Sequence, residues 1–239
     1  MELLHADSAC VVLSKPAGLL SVPGRSEPDC ALVRLQQMDG GRYADALTVH
    51  RLDMDTSGLI VFARGAAAQR ALSIAFMRRQ VQKRYLAVVA GALDAAGGAT
   101  SGRPTDTTAI GLGGDHTTTT AGAVPHGEIT LPLAADWPRR PLQKVCLLSG
   151  KPALTRWRWS ASEPGPPERS RVVLEPVTGR SHQLRVHLAA IGHPILGDRF
   201  YADAQVAAAA PRLLLHACEL GFAHPVGGQA LRFSEAAPF

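Results

Sequence analysis

The chain has 239 residues, 46% hydrophobic and 19% charged, which excludes wholesale disorder and leaves room for one large domain or two small ones. No apolar run approaches the ~20 residues that span a bilayer. The N-terminus, Met1-Glu2-Leu3-Leu4-His5-Ala6-Asp7, lacks the basic and apolar regions of a secretory signal, so a cytoplasmic location is expected. The net charge of +5 suits a polyanionic partner without demanding one, and Arg supplies 21 of the 25 cations. Arg favours bidentate phosphate contacts and stacking on bases. A GC-rich coding sequence accounts for the same bias, since Ala runs occur at 66–68 and 207–210. The four cysteines are scattered and form no Cys-x-x-Cys pair, so reduced, mostly buried thiols are expected.

Residues 10–14 read as a short strand, broken by Lys15-Pro16-Ala17-Gly18 and a second turn signal at Pro23-Gly24. A helix over 29–38 would carry Leu32, Leu35 and Gln36 at helical spacing. The polar stretch from Val49 to Gly58 then feeds an apolar strand at 59–63, which would fix the loop before it. Residues 66–79 predict an amphipathic helix with Leu72, Ala75 and Phe76 on its apolar face and Arg78-Arg79 at its negative end. Residues 83–90 alternate as a strand ended by Gly91. Residues 92–127, rich in Gly, Thr and Ala, read as a flexible low-complexity surface insertion. Order resumes at Ile129. A strand at 153–160 sets Thr155, Trp157 and Trp159 against Leu154, Arg156 and Arg158. A turn-rich loop at 161–168 and a strand at 171–175 follow. Ser181 is the expected N-cap of a helix carrying Leu184, His187, Leu188 and Ile191, stopped by Gly192. Strands at 213–216 and 231–233 complete an α+β chain with a largely antiparallel sheet.

Few residues offer chemistry. Asp53, in His50-Arg51-Leu52-Asp53, can cap local backbone N–H groups, or with Asp55 chelate Mg²⁺, or act as a carboxylate beside Arg51. Arg180 and Arg185 sit at the start of the 181–192 helix, where a helix N-terminus already favours anions; pairing with local acids is the alternative. Glu175 and Asp198 look isolated. His182, His187 and His193 contain no i, i+4 zinc pair, and His187 lies on the apolar stripe as a buried, satisfied ring. Tyr85 reads as core packing on its own. No Walker loop, dinucleotide fingerprint or nucleophile elbow occurs.

Three separated segments nevertheless agree with one family. His50-Arg51-Leu52-Asp53-Met54-Asp55-Thr56-Ser57-Gly58, the run from Lys83 through Tyr85 to Gly91, and Gly179-Arg180-Ser181-His182-Gln183-Leu184-Arg185-Val186-His187-Leu188 resemble, in order, the three motifs of the RluA family of pseudouridine synthases. Lys15-Pro16-Ala17-Gly18 and Gly192-His193-Pro194-Ile195-Leu196-Gly197-Asp198 match further landmarks. Leu19 to Arg25, Asp136-Trp137-Pro138, Gln143-Lys144-Val145-Cys146 and Gly150-Lys151-Pro152-Ala153 are similar to the family's namesake branch, whose members act on 23S rRNA and on the anticodon loop of certain tRNAs. Other members carry an N-terminal S4 RNA-binding domain. Only about nine residues precede the first expected strand here, so a single catalytic domain over 1–239 without S4 is expected. Residues 92–127 depart from the pattern as an insertion; Ser181 replaces a frequent Thr; Asp55 falls at a variable position, which argues against a metal role.

The resemblance implies an RNA uridine isomerase acting as a monomer, without DNA, membrane, metal or cofactor. The N1–C1′ bond breaks, the held uracil turns, and C5 bonds to C1′ while water is excluded. The nucleophile is implied to be Asp53. Burial favours a neutral carboxylic acid unless a cation stands beside it, and Arg180 is the implied cation. Tyr85 is implied to stack on the target base and accept a proton, Arg51 to fill the space left by the flipped base, Leu184 to line the pocket, and His50 and Arg185 to contact substrate. Further arginines would supply salt-dependent phosphate affinity.

Overall fold

The computed structural model describes residues 1–93 and 124–239. Most of the expected 92–127 insertion therefore lies outside the described residues. Its two margins are ordered: Leu93 is buried, with its N–H donated to Ser170 Oγ, and a strand begins at His126, three residues before Ile129.

In chain order the strands are β1 (Glu2–Ala6), β2 (Cys10–Lys15), β3 (Ala46–Thr48), β4 (Ser57–Arg64), β5 (Gln82–Ala90), β6 (His126–Ile129), β7 (Leu133–Ala135), β8 (Gln143–Val145), β9 (Thr155–Glu163), β10 (Arg169–Pro176), β11 (Leu215–Ala223) and β12 (Ala230–Ser234). The helices are α1 (Ala31–Gln37), α2 (Gly65–Met77), α3 (Gln183–Ala190) and α4 (Ala204–Ala208). This is the expected α+β class. Strand pairing is mostly antiparallel, with β4 and β11 parallel. Among the described residues no helix is long and apolar enough to cross a membrane.

The chain divides into two compact units, Met1–Tyr85 with Leu215–Phe239, and Leu86–Leu214. In the first, β4 is the organising strand. It pairs with β2, β3 and β11 and is buried along nearly its whole length, so it reads as a continuous apolar run. Its alternate side chains build two cores. Leu59, Val61 and Ala63 meet Cys10, Val12 and the Ala68 and Leu72 stripe of α2. Ile60 and Phe62 meet Val11, Leu13 and the Ala31 and Leu35 face of α1. The parallel neighbour comes so close at Gly58, where φ is +108°, that a Cβ would lie 2.4 Å from the Ala217 carbonyl oxygen. Only glycine fits there. β1, absent from the sequence reading, pairs with β2 at the edge, and Asp7 anchors the turn between them by accepting the Ala9 and Cys10 N–H groups.

In the second unit β9 pairs with both β10 and β6. Thr155 is buried and Trp157 and Trp159 are half-buried, whereas Arg156 and Arg158 are exposed, as the alternation requires. β9 runs on to Glu163, into the stretch expected to be loop. The second half of β5 is met by the segment after α3: Ala90 N–H donates to Pro194 O and Leu196 N–H to Val88 O, both at 2.9 Å. Gly197 then turns beneath the Arg212 carbonyl, which would stand 1.9 Å from any Cβ.

Candidate active site

The nucleophile candidate lies on the loop between β3 and β4, and groups on both sides of it fix its main chain. Ahead of Asp53, Leu52 is gripped twice: Ser21 Oγ donates to its carbonyl at 2.8 Å and accepts its N–H at 3.0 Å. Behind it, the Met54 carbonyl accepts Lys15 Nζ at 2.9 Å and Gly18 N–H at 2.9 Å. Lys15 is fully buried and donates also to Pro16 and Leu19 carbonyls, at 2.8 and 2.7 Å. An ammonium this deep needs its three donors satisfied, and three carbonyls satisfy them. The Lys15-Pro16-Ala17-Gly18 segment is therefore the bracket of the loop. Its signal in sequence was a lysine ending an apolar strand directly before a proline turn. Asp53 itself is half-buried, Arg51 and Met54 are exposed, and Leu52 is buried.

His50 opens the loop. Its Nε2 accepts the Val61 N–H of β4 at 3.1 Å, and its ring stacks on Phe76 of α2 at 4.4 Å. Burial, then the charge of Lys83, holds its pKa down to about 3. The ring is neutral at physiological pH with its proton on Nδ1, and its place is structural, tying the loop to β4 and α2. Lys83, half-buried on β5, is itself lowered by burial. Tyr85 follows two residues on, half-buried against the second core, and burial, then the Asp53 charge, then Cys218, push its phenol up. At neutral pH it is a hydroxyl donor on an aromatic face. While protonated it offers stacking and hydrogen-bond donation.

The third motif lies in the second unit. The helix opens at Gln183, one residue later than expected. The cap is His182, in the left-handed region at φ +53°, and it caps with no side-chain bond. Ser181 does not fill that role. The work falls to Gln183, whose Oε1 accepts Arg180 N–H at 3.0 Å and Thr178 Oγ1–H at 2.7 Å, while Nε2 donates to Leu154 O and Thr155 Oγ1, both at 3.0 Å. This one buried amide fixes the backbone of Arg180. The Arg180 side chain is exposed, with Nε donating to Pro152 O at 3.1 Å. Leu184 is buried.

Arg185 differs from its expected place at the substrate. It is buried, with Nε and Nη2 on the two Asp198 oxygens at 2.8 and 2.7 Å and the guanidinium over the Phe200 and Tyr201 rings. Asp198 also accepts the Phe200 and Tyr201 N–H groups, so it is not isolated: the pair holds the 198–201 turn. The reason is burial, since a desolvated guanidinium requires a carboxylate. His187 is the satisfied ring expected: fully buried, Nε2 to Leu131 O and Nδ1 to Thr155 Oγ1, both at 2.9 Å.

A family model described as RNA pseudouridylate synthase matches residues 9–190. The dual-specificity RNA pseudouridine synthase RluA of Escherichia coli strain K12 is 44% identical over 241 aligned residues, covering 100% of this chain and 94% of the relative. Its namesake in Pasteurella multocida strain Pm70 is 42% identical with the same coverage. Among solved structures, human RNA pseudouridylate synthase domain containing 1 superposes with a TM-score of 0.72 at 23% identity, covering 100% of this chain and 84% of that one. That likeness is one of fold.

Proposed function

The chain belongs to the RNA pseudouridylate synthase family and is an isomerase; from this premise we propose that Asp53 is its nucleophile and that it converts uridines in both 23S rRNA and the tRNA anticodon loop. The observation that carries the assignment is the double anchoring of the Asp53 loop. Ser21 fixes the residue before the carboxylate, and buried Lys15 the residue after it. Whether the carboxylate attacks C1′, attacks the base or drives elimination from the ribose, it must meet the reacting atom in a narrow range of geometries, and a loop held at both neighbours supplies that order before substrate arrives.

The reaction balances within one nucleotide. N1–C1′ breaks, the uracil turns, C5–C1′ forms, the C5 proton leaves to a base or to solvent, and N1 takes up a proton, so the product is an isomer of the substrate. Tyr85, protonated, offers the base an aromatic face and an O–H donor. Arg180 is assigned the cation that keeps the carboxylate ionised, with its backbone set by Gln183. Arg51, exposed on the nucleophile loop, is assigned the space vacated by the flipped base, and Leu184 the pocket wall. The two-substrate specificity comes from the relatives named dual-specificity enzymes. The same reading has the chain act as one catalytic domain, a cytoplasmic monomer needing no metal or cofactor. Support for one domain is that the family match spans the unit boundary at Tyr85.

The test is Asp53→Asn with 5-tritiated uridine in a tRNA anticodon stem-loop and in a 23S rRNA fragment. Tritium release should vanish on both while RNA binding survives. Undiminished release would remove Asp53 from the mechanism.

A further inference from the structure

The segment joining β7 to β8 presents an arrangement that neither the core nor the third motif uses. Trp137 opens a short 3-10 turn, Trp137–Arg139, and is 68% exposed. The turn is not loose. Asp136 N–H donates to Leu142 O, Arg139 N–H to Asp136 O and Leu142 N–H to Arg139 O, at 2.9, 2.9 and 3.0 Å. The Arg140 guanidinium lies over the indole at 3.6 Å from the ring centroid. Buried Asp136 pairs with Arg139 Nη2 at 2.6 Å and stands 3.7 Å from Lys144 Nζ. Two cations, Arg139 and Lys144, thus face one carboxylate, and a third, Arg140, lies over the indole, which leaves surplus positive charge at the rim of an exposed ring.

This rim continues to the third motif. Gln143 N–H donates to Tyr201 OH at 2.8 Å, and Tyr201 OH bonds His182 Nδ1 at 2.6 Å. His182 in turn stacks with Phe200, which is 40% exposed, at 5.9 Å and 24°. The result is a strip of aromatic faces and guanidinium planes on rigid turns, in the unit that carries Arg180.

A tryptophan this exposed is unusual for an aromatic side chain. Apolar π-faces interleaved with cations match one partner chemistry closely: a single-stranded polyanion with a π-face on every residue. Resting on the proposed function, we propose that Trp137 and Arg140 form a stacking platform for an unpaired base of the substrate RNA, with Arg139 and Lys144 on the adjoining phosphates. The base is not the target uridine. An open, wetted platform cannot shield a glycosyl intermediate from water, and the target base needs that shielding.

The test measures anisotropy of a fluorescein-labelled anticodon stem-loop over a range of salt, beside single-turnover tritium release at saturating RNA. Trp137→Ala should weaken binding by about fivefold or more, the lower end of one lost base stack, and Trp137→Phe should restore most of it. Arg139→Ala should lower the slope of log affinity against log salt by about one. The saturated rate should stay within twofold of wild type in all three. Affinity unchanged within twofold in Trp137→Ala would overturn the proposal. So would a fall in the saturated rate at unchanged affinity, or loss of self-association in sedimentation with RNA binding intact, which would mark a contact between copies. Wild-type tritium release on the same RNA reports the catalytic reading separately, so failure of one is distinguishable from failure of the other.

Discussion

The loop at 50–56 and the loop at 178–182 are both fixed from outside their own main chains, but by opposite kinds of group. The first is held by a buried cation that can only donate, with a hydroxyl as its second anchor. The second is held by a neutral amide that donates and accepts at once, from the first residue of the helix it precedes. A cation with three carbonyls is lost as one piece: removed, it takes a donor from all three, and among the described residues only Met54 O keeps another, the Gly18 N–H. An amide shared among four partners fails by degrees. The carboxylate loop is thus built for permanence, and the arginine loop for fine placement.

Substitutions at three positions test that contrast, in falling order of effect. Lys15→Met should be the most damaging. Carbonyls left unpaired cost about 1–3 kcal/mol each, and Pro16 O and Leu19 O lose their donor, so urea denaturation should show a loss of about 2 kcal/mol or more, with turnover lost. A variant of wild-type stability would mean the bracket is dispensable. Gln183→Leu should cost about 1–3 kcal/mol and lower kcat more than it raises KM, because it frees the Arg180 backbone. Gln183→Glu, which keeps both accepted bonds and loses the donated ones, should recover part of kcat. Equal damage from the two would tie the effect to packing instead. The smallest effect concerns His50. Its folded pKa, about 3, lies below its unfolded value near 6.5, so the unfolded chain binds the extra proton between those limits. Stability tied to this ring is complete above about pH 6.5 and drains away as pH falls toward 3. Thermal melts of His50→Gln should show a flatter acid limb than wild type over that window. Parallel limbs would show that the ring does not contribute.

Periodicity was enough to find the long elements. β4 and α2 emerge within two residues of their expected bounds because burial on both faces, or on one helical stripe, writes itself into local spacing. β1 was missed because Glu2 to Ala6 is an edge strand with no fully buried residue. α4 was missed because its Ala run looked compositional, although Asp203 accepting the Val206 N–H is an ordinary N-cap signal. At the site, Asp53, Tyr85 and Arg180 were legible as motif residues. The groups that hold them were not, because Lys15 reaches Met54 across 39 positions and Ser21 reaches Leu52 across 31. Arg185 shows the same limit from the other side: its partner Asp198 is 13 residues away across a loop, so a motif arginine looked available for RNA when it was already committed.

Lys15 has a last consequence. The chain contains only four lysines, and they grade from exposed Lys144 and Lys151 through half-buried Lys83 to the wholly enclosed Lys15. An amine-reactive reagent therefore meets the first two at once and the last only when the bracket opens. The slowest-labelled amine in the protein becomes a built-in timer for how often the anchor of the Asp53 loop comes apart.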